Sequence, residues 1–259
     1  MKLYVPAAAA VALFSVTALA AGPKGASLLP GTTIPIALTQ KIDAAKAHVG
    51  DPITGRTTQT VTLASGEKLP KGSLLQGHVV EASQFQFNSA HYAVQHNAVL
   101  SIQFDNISTG TYQIPLHVYV RAMAAPVTVS EAHMPKASDM DSLGTTTQVG
   151  GDLVTPSQEE VLSAHGDIVG YKHDGGIYAH LIASRHDGVS CGSSSTEQAV
   201  GVFSASACGT YGFAQESLAA NANSIVTLVS NHHSPRIYAN TAILLEEQPA
   251  TQAANEGLK

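Results

Sequence analysis

Hydrophobic and polar residues alternate with a period of two through much of the first half of the chain. Between Thr32 and Thr39, Ile34, Ile36 and Leu38 fall on one face and Thr33, Pro35, Ala37 and Thr39 on the other. That is the pattern of a β-strand with one buried face. Pro35 cannot donate to a ladder, which places the start of this strand at a sheet edge. Ile53 to Leu63 is again β-rich, with Val61 and Leu63 on one face, and Leu74 to Ala82 forms the next strand. Gly77 inside it marks a bulge or a close backbone approach. Leu100, Ile102 and Phe104 then alternate with Ser101, Gln103 and Asp105, and Ile114, Leu116, Val118 and Val120 with Pro115, His117, Tyr119 and Arg121. With a turn at Ser108–Thr111 between them, these two runs predict an antiparallel hairpin. His117, Tyr119 and Arg121 then face outward and are candidate partner contacts.

Turn chemistry groups these strands. Leu69-Pro70-Lys71-Gly72 places Pro and Gly where a tight turn needs them and runs straight into the strand ending near Glu81. Residues 28–122 are therefore expected to form an antiparallel β-barrel. The alternation stops at Met123, and 123–154 hold Pro, Ser, Asp, Gly and a Thr run, which predicts a linker or long loop. Thr155-Pro156-Ser157-Gln158 has the features of a helix start, with Gly166 at its stop. From Asp167 strand signals return, around Asp174-Gly175-Gly176 and at Val200–Phe203, Ile225–Ser230 and Ile237–Leu245. Residues 155–247 are expected to be a β-rich, disulfide-containing region and 248–259 a disordered tail. The fold class is thus mainly β: an N-terminal antiparallel barrel and a β-rich C-terminal half with one short helix and a disulfide.

Composition adds a compartment. Met1-Lys2, the apolar run Val5–Thr17, and Ala18-Leu19-Ala20 before Gly22-Pro23 make a secretory signal peptide over 1–20, so the mature protein is expected in the periplasm or outside the cell. No later segment is apolar enough to span a membrane. Only 12% of residues are charged and the net charge is −6, without a basic cluster. That argues against nucleic-acid or anionic-lipid partners. The two cysteines, Cys191 and Cys208, read as a disulfide in an exported chain, worth about 3 kcal/mol for a loop of this size.

Candidate chemistry is sparse. Among 12 histidines, His173, His180 and His186 fall within one predicted hairpin and are the candidates for a metal site. His232 and His233 are adjacent, and His91 and His96 share a loop. None of these spacings matches a metalloprotease helix or a Cys-His finger, so no cofactor is expected. Ser193, Ser194 and Ser195 lie near His186 and Asp187, but a G-x-S-x-G elbow is absent. Glu159-Glu160 and Glu246-Glu247 are adjacent rather than convergent. Asp139-Met140-Asp141-Ser142-Leu143-Gly144 echoes a calcium loop, yet Leu143 and Gly150 occupy ligand positions.

Leu29-Pro30-Gly31-Thr32-Thr33-Ile34-Pro35, Leu69-Pro70-Lys71-Gly72-Ser73-Leu74-Leu75-Gln76-Gly77 and Ile102-Gln103-Phe104-Asp105-Asn106-Ile107 carry a resemblance. Over residues 29–121 the chain resembles the C-terminal β-barrel domain of conjugal-transfer and type IV secretion channel proteins. Family members with an anchor and a Pro-rich region differ from this chain, and the second half has no counterpart in that pattern. The combination also resembles exported bacterial proteins that pair such a barrel with a C-terminal β-region. The resemblance implies a non-enzymatic cell-envelope protein, with the barrel as an interaction or assembly module for envelope proteins. Two other functions stay open: a periplasmic metal-binding protein using the histidine cluster, and a secreted hydrolase with a site in the second half.

Overall fold

The computed structural model describes residues 26–249 apart from His91, Ala93, Thr111, Tyr112, Asp139 and Met140. The expected signal peptide and residues 250–259 of the expected tail lie outside the described residues.

From the first half come β1 (Thr33–Leu38), β2 (Ile42–Asp43), β3 (Pro52–Thr57), β4 (Val61–Thr62), β5 (Lys68–Leu69), β6 (Leu74–Ser83), β7 (Ala98–Ser108), β8 (Gln113–Pro115) and β9 (Val118–Ala124). One helix, α1 (Pro126–Ala132), follows. Then come β10 (Lys136–Ser138), β11 (Asp141–Thr147), β12 (Leu153–Val154), β13 (Glu160–Leu162), β14 (Ile168–His173), β15 (Gly176–His180), β16 (Ser184–His186), β17 (Val189–Cys191) and β18 (Glu197–Ala199). The chain finishes with β19 (Gly209–Tyr211), β20 (Ser217–Ala222), β21 (Ile225–Ser230), β22 (Arg236–Ile237) and β23 (Ala242–Glu247).

The period-2 runs set the main sheet. Its order is β19-β9-β23-β1-β3-β6-β7-β21-β20, with β8 also on β7. The inward residues Ile34, Ile36, Leu38, Leu75, Leu100, Ile102, Phe104, Val118, Val120, Ile243 and Leu245 form one apolar core. The sheet curls until β20 meets β9. There the Asn221 side chain accepts from the Val120 amide at 2.7 Å and donates to the Val120 carbonyl at 2.6 Å. Ser224 continues this seam: its amide donates to the Val118 carbonyl and its Oγ accepts from the Val118 amide. A side-chain amide thus stands in for a ladder pair and nearly closes a barrel. Gly77 serves both roles expected of it: the β6–β7 register shifts beside it, and a Cβ there would lie 2.2 Å from the Gln103 carbonyl oxygen.

A second sheet, ordered β10-β11-β12-β13-β14-β15-β18, comes entirely from the second half. It contains its own small core, including Val161, Val169, Ala179, Leu181, Val200 and Ala205. A further cluster joins the barrel's Ala122, Ala124, Ala242 and Leu244 to Phe203 and to Val129 and Ala132 of α1.

Several expectations change. Residues 123–154 are not a linker: they complete β9, form α1 and supply β10–β12. The helix expected after Thr155 is instead a turn leading into β13. Lys172 Nζ donates to the carbonyls of Thr155 and Pro156, and Asp141 accepts from the Ser157 amide, so the capping residues are held in a turn, while Val161 is buried in the second sheet. The helix that does form begins with Pro126 and has β-branched residues, and packing of Val129 and Ala132 compensates for that weak propensity. The barrel also extends beyond residues 28–122, because β20, β21 and β23 are staves of it. The hairpin expected between β7 and residues 114–121 is short. β8 pairs with β7, and the chain then leaves for β23. Pro35 is not at an edge either. β1 lies between β23 and β3, and its pairing with β3 runs only from Ile36 to Leu38, which leaves room for a residue without an N–H. Val200–Phe203, expected as a strand, is a turn segment.

Candidate functional site

The outward residues of β1 and the chain just after β3 meet the second sheet. Gln59, almost fully buried, donates from Nε2 to the Ile177 carbonyl at 2.7 Å, and its Oε1 accepts from the amides of Ile177 and Gly201. Thr33 donates from its hydroxyl to the Ala199 carbonyl, and Tyr178 donates to the Thr60 carbonyl at 2.9 Å. The contact is close enough to demand glycine. A Cβ on Gly176 would lie 2.3 Å from the Gln59 side chain, and φ there is +142°.

Beside these ties the two sheets and α1 leave a cleft of about 590 Å³. Its walls are largely carbon: Pro35 and Ala37 from β1, Val129 from α1, Ile177 and Val202 from the second half, and Ala242 from β23. Its polar rim carries the cations Arg56 and Lys71 together with His133, Thr58 and Asn240, and no carboxylate lines it. Arg56 donates from Nη1 to the Gly72 carbonyl at 2.8 Å, which holds the guanidinium against the Lys71–Gly72 turn. His133 donates from Nδ1 to the Val129 carbonyl at 2.7 Å, which fixes its tautomer when neutral. The volume is that of a small-ligand or side-chain site.

No family model, curated protein or solved structure matches this chain. The function therefore rests on the geometry of its own side chains.

The three expected partner contacts do not form an exposed row. Arg121 is fully buried, on the outer face that it shares with Tyr119 and Glu246. Leu244 pairs with Ala122 and Leu245 with Val120, so Arg121 has no opposite residue. The second half packs over its side chain. Its Nη1 donates to the Gly192 carbonyl at 2.8 Å and to Glu246 Oε2 at 3.0 Å, and its Nη2 donates to the Ile182 carbonyl at 2.9 Å. Tyr119 is half-buried and donates to the same Glu246 oxygen at 2.6 Å. Burial first, and then the carboxylate, hold its phenol well above the usual range. His117 is half-buried with its Nδ1 enclosed. Cys191 and Cys208 form a disulfide next to this anchor, with Cα atoms 5.9 Å apart.

The histidines of the predicted hairpin separate. His173 meets Glu197 at 3.3 Å, His180 donates to the Ser195 carbonyl, and His186 donates to the Thr210 carbonyl and stacks on Tyr211. Among the described residues no three His, Cys, Asp or Glu side chains are placed to hold a metal ion. In the serine run, the Ser194 hydroxyl bonds Thr196, and no hydrogen bond joins these hydroxyls to His186 among the described residues.

One Ser-His-acid row does form, at Ser230, His233 and Glu216. Ser230 Oγ is 3.5 Å from His233 Nδ1, and His233 Nε2 is 3.1 Å from Glu216 Oε1. Burial holds the Glu216 carboxyl above its ordinary range. The row lacks an attackable position. Ser230 is buried, its oxygen accepts from the amides of His232 and His233, and it does not line the 300 Å³ cavity that Glu216 and His233 border. It acts as a turn cap.

Sequence patterns missed the cleft because its walls come from five separate segments. Pro35, Lys71 and Gly176 carried signals, each for its own strand or turn and none for a cleft. Nothing near Gln59 marked it as buried, and nothing near Glu246 marked it as the partner of a buried arginine.

Proposed function

We propose that this is an exported, non-enzymatic cell-envelope protein that works as an interaction module, with its binding surface in the cleft between the barrel and the second sheet. The observation that carries this reading is the cleft itself: about 590 Å³, walled mostly by carbon and held open by Gln59, Thr33 and Tyr178. The resemblance of residues 29–121 to secretion-channel barrels supports the choice of module. The disulfide is compatible with an oxidising compartment, and among the described residues no helix is long and apolar enough to cross a membrane. The buried state of Ser230 disfavours a hydrolase.

The test is to fill the cleft. Ala37→Trp places an indole in it and replaces none of the tie residues. The expected result is that wild-type protein retains an envelope component on affinity capture and the variant, with unchanged circular dichroism and melting temperature, loses it. Equal retention by both would refute the cleft as the binding surface.

A further inference from the structure

The cleft joins carbon walls to a basic rim, and the strand along its barrel side is already paired. β1, which supplies one wall, is hydrogen-bonded to β23 on one side and β3 on the other. A peptide strand would find no edge to extend, so main-chain recognition of the β-addition kind has no place here. What the cleft does offer is apolar contact along Pro35, Ala37, Val129, Ile177 and Val202, and positive charge on its rim, where Arg56 pairs across from Ala37. The bond from Arg56 to the Gly72 carbonyl puts that guanidinium next to Lys71. A chain with net charge −6 and 13 Lys and Arg in all has here two cations and no carboxylate on one apolar cleft. This local arrangement departs from the overall charge balance, which had argued against anionic-lipid partners.

Resting on the cleft as the binding surface, we propose that its occupant is a single-chain amphiphile with an anionic end, a long-chain alkyl carboxylate. The alkyl chain lies against the carbon walls, and the carboxylate faces Arg56 and Lys71. The guanidinium fork can take a carboxylate in a bidentate pair with the N–H groups not given to Gly72, while the ammonium contributes as a point charge. The two contributions are separable: the walls set a dependence on chain length, and the rim sets a dependence on the headgroup.

The experiment is calorimetric titration of the full chain with octanoate, decanoate and dodecanoate below their micelle concentrations, and with dodecan-1-ol as the uncharged control. Each methylene added inside the cleft should tighten binding about fourfold. Lys71→Glu, which leaves the Arg56–Gly72 bond intact, and the double variant Arg56→Gln with Lys71→Gln should each weaken dodecanoate binding tenfold or more and change dodecanol binding less than twofold. Ala37→Trp should abolish both. Dodecanol binding as tightly as dodecanoate would overturn the inference, as would affinity flat across chain length, binding to anionic vesicles without binding to the monomeric carboxylate, or displacement by an acidic peptide alone. If no carboxylate binds while Ala37→Trp still abolishes envelope capture, the inference fails and the cleft remains the binding surface. If neither is seen, both fail.

Discussion

Inside the barrel, burial falls on aliphatic side chains such as Ile34, Leu100 and Leu245, and the hydrogen bonds are the strand ladders themselves. At the junction with the second half, burial falls on Arg121, Gln59 and Thr33, which bond backbone groups far away in sequence. The two regions are equally dry and answer to different rules. An apolar core is graded in volume and tolerates swaps that conserve it. A polar junction is graded in partners, and each lost partner strands a group away from water. The junction is thus the more specific and the more fragile of the two, and the cleft depends on it.

The comparison breaks first at Arg121. Arg121→Met strands the Glu246 carboxylate beside Tyr119 and frees the Gly192 and Ile182 carbonyls, and is expected to cost about 3–5 kcal/mol in urea unfolding. The double variant Arg121→Met with Glu246→Leu should recover much of that loss, because no lone charge remains. Recovery would confirm that the pair serves specificity more than net stability.

Replacing Cys191 and Cys208 by Ser should cost about 3 kcal/mol. The loss should appear as earlier hydrogen exchange across β16–β18, with β1, β6 and β7 protected as before. Uniform loss of protection would show that the two regions unfold as one unit.

A matched pair sharpens the contrast further. Leu100→Met in the barrel conserves volume and should cost less than about 1.5 kcal/mol. Gln59→Met also conserves size but leaves the amides of Ile177 and Gly201 unpaired, each costing about 1–3 kcal/mol where no water reaches, while the Ile177 carbonyl keeps the Val200 amide. The junction variant should therefore be the weaker of the two by melting temperature, and should also lose cleft binding.

The smallest effect is in pH. Burial raises the Asp152 carboxyl despite the Ala205 amide that donates to it, and burial likewise raises Glu216 and Glu247. The folded state then holds these protons more tightly than the unfolded chain. Their contribution is present below the unfolded value and is lost as pH rises through the folded one. Asp43 and Asp141 run the other way. Burial raises Asp43, but the Ala45 amide with Arg236 and Lys41 outweighs it, and the Leu143 amide and Ser157 hold Asp141 low. Their contribution is lost as pH falls. Asp152→Asn, whose amide oxygen still accepts from Ala205, should flatten the decline of stability above pH 4. An unchanged profile would remove Asp152 from the account.

What was legible follows the same division. The inward faces of β1, β7 and β9 could be read because period-2 alternation reports directly on a buried sheet face, and Gly77 could be read because it breaks that pattern. Arg121 stays on the outer face that alternation gave it, but the second half covers it there, and residues near 121 say nothing of Ile182, Gly192 or Glu246. Thr155-Pro156-Ser157-Gln158 has helix-capping chemistry, but Lys172 and Asp141 claim those groups from other strands. The cleft was hidden for the same reason: each wall residue is ordinary in its own segment.

The position of β23 has a consequence for how the chain comes to exist. Ile34 pairs with Leu245, so the barrel's first stave waits for its last. A polypeptide emerging from its N-terminus cannot assemble this sheet until β23 has been made, and its folding rate is limited by closing the loop of about two hundred residues between β1 and β23. Truncation between Ile237 and Ala242 removes a central stave and leaves β1 and β9 each without a neighbour on that side. Such fragments should accumulate as aggregates and give no smaller barrel.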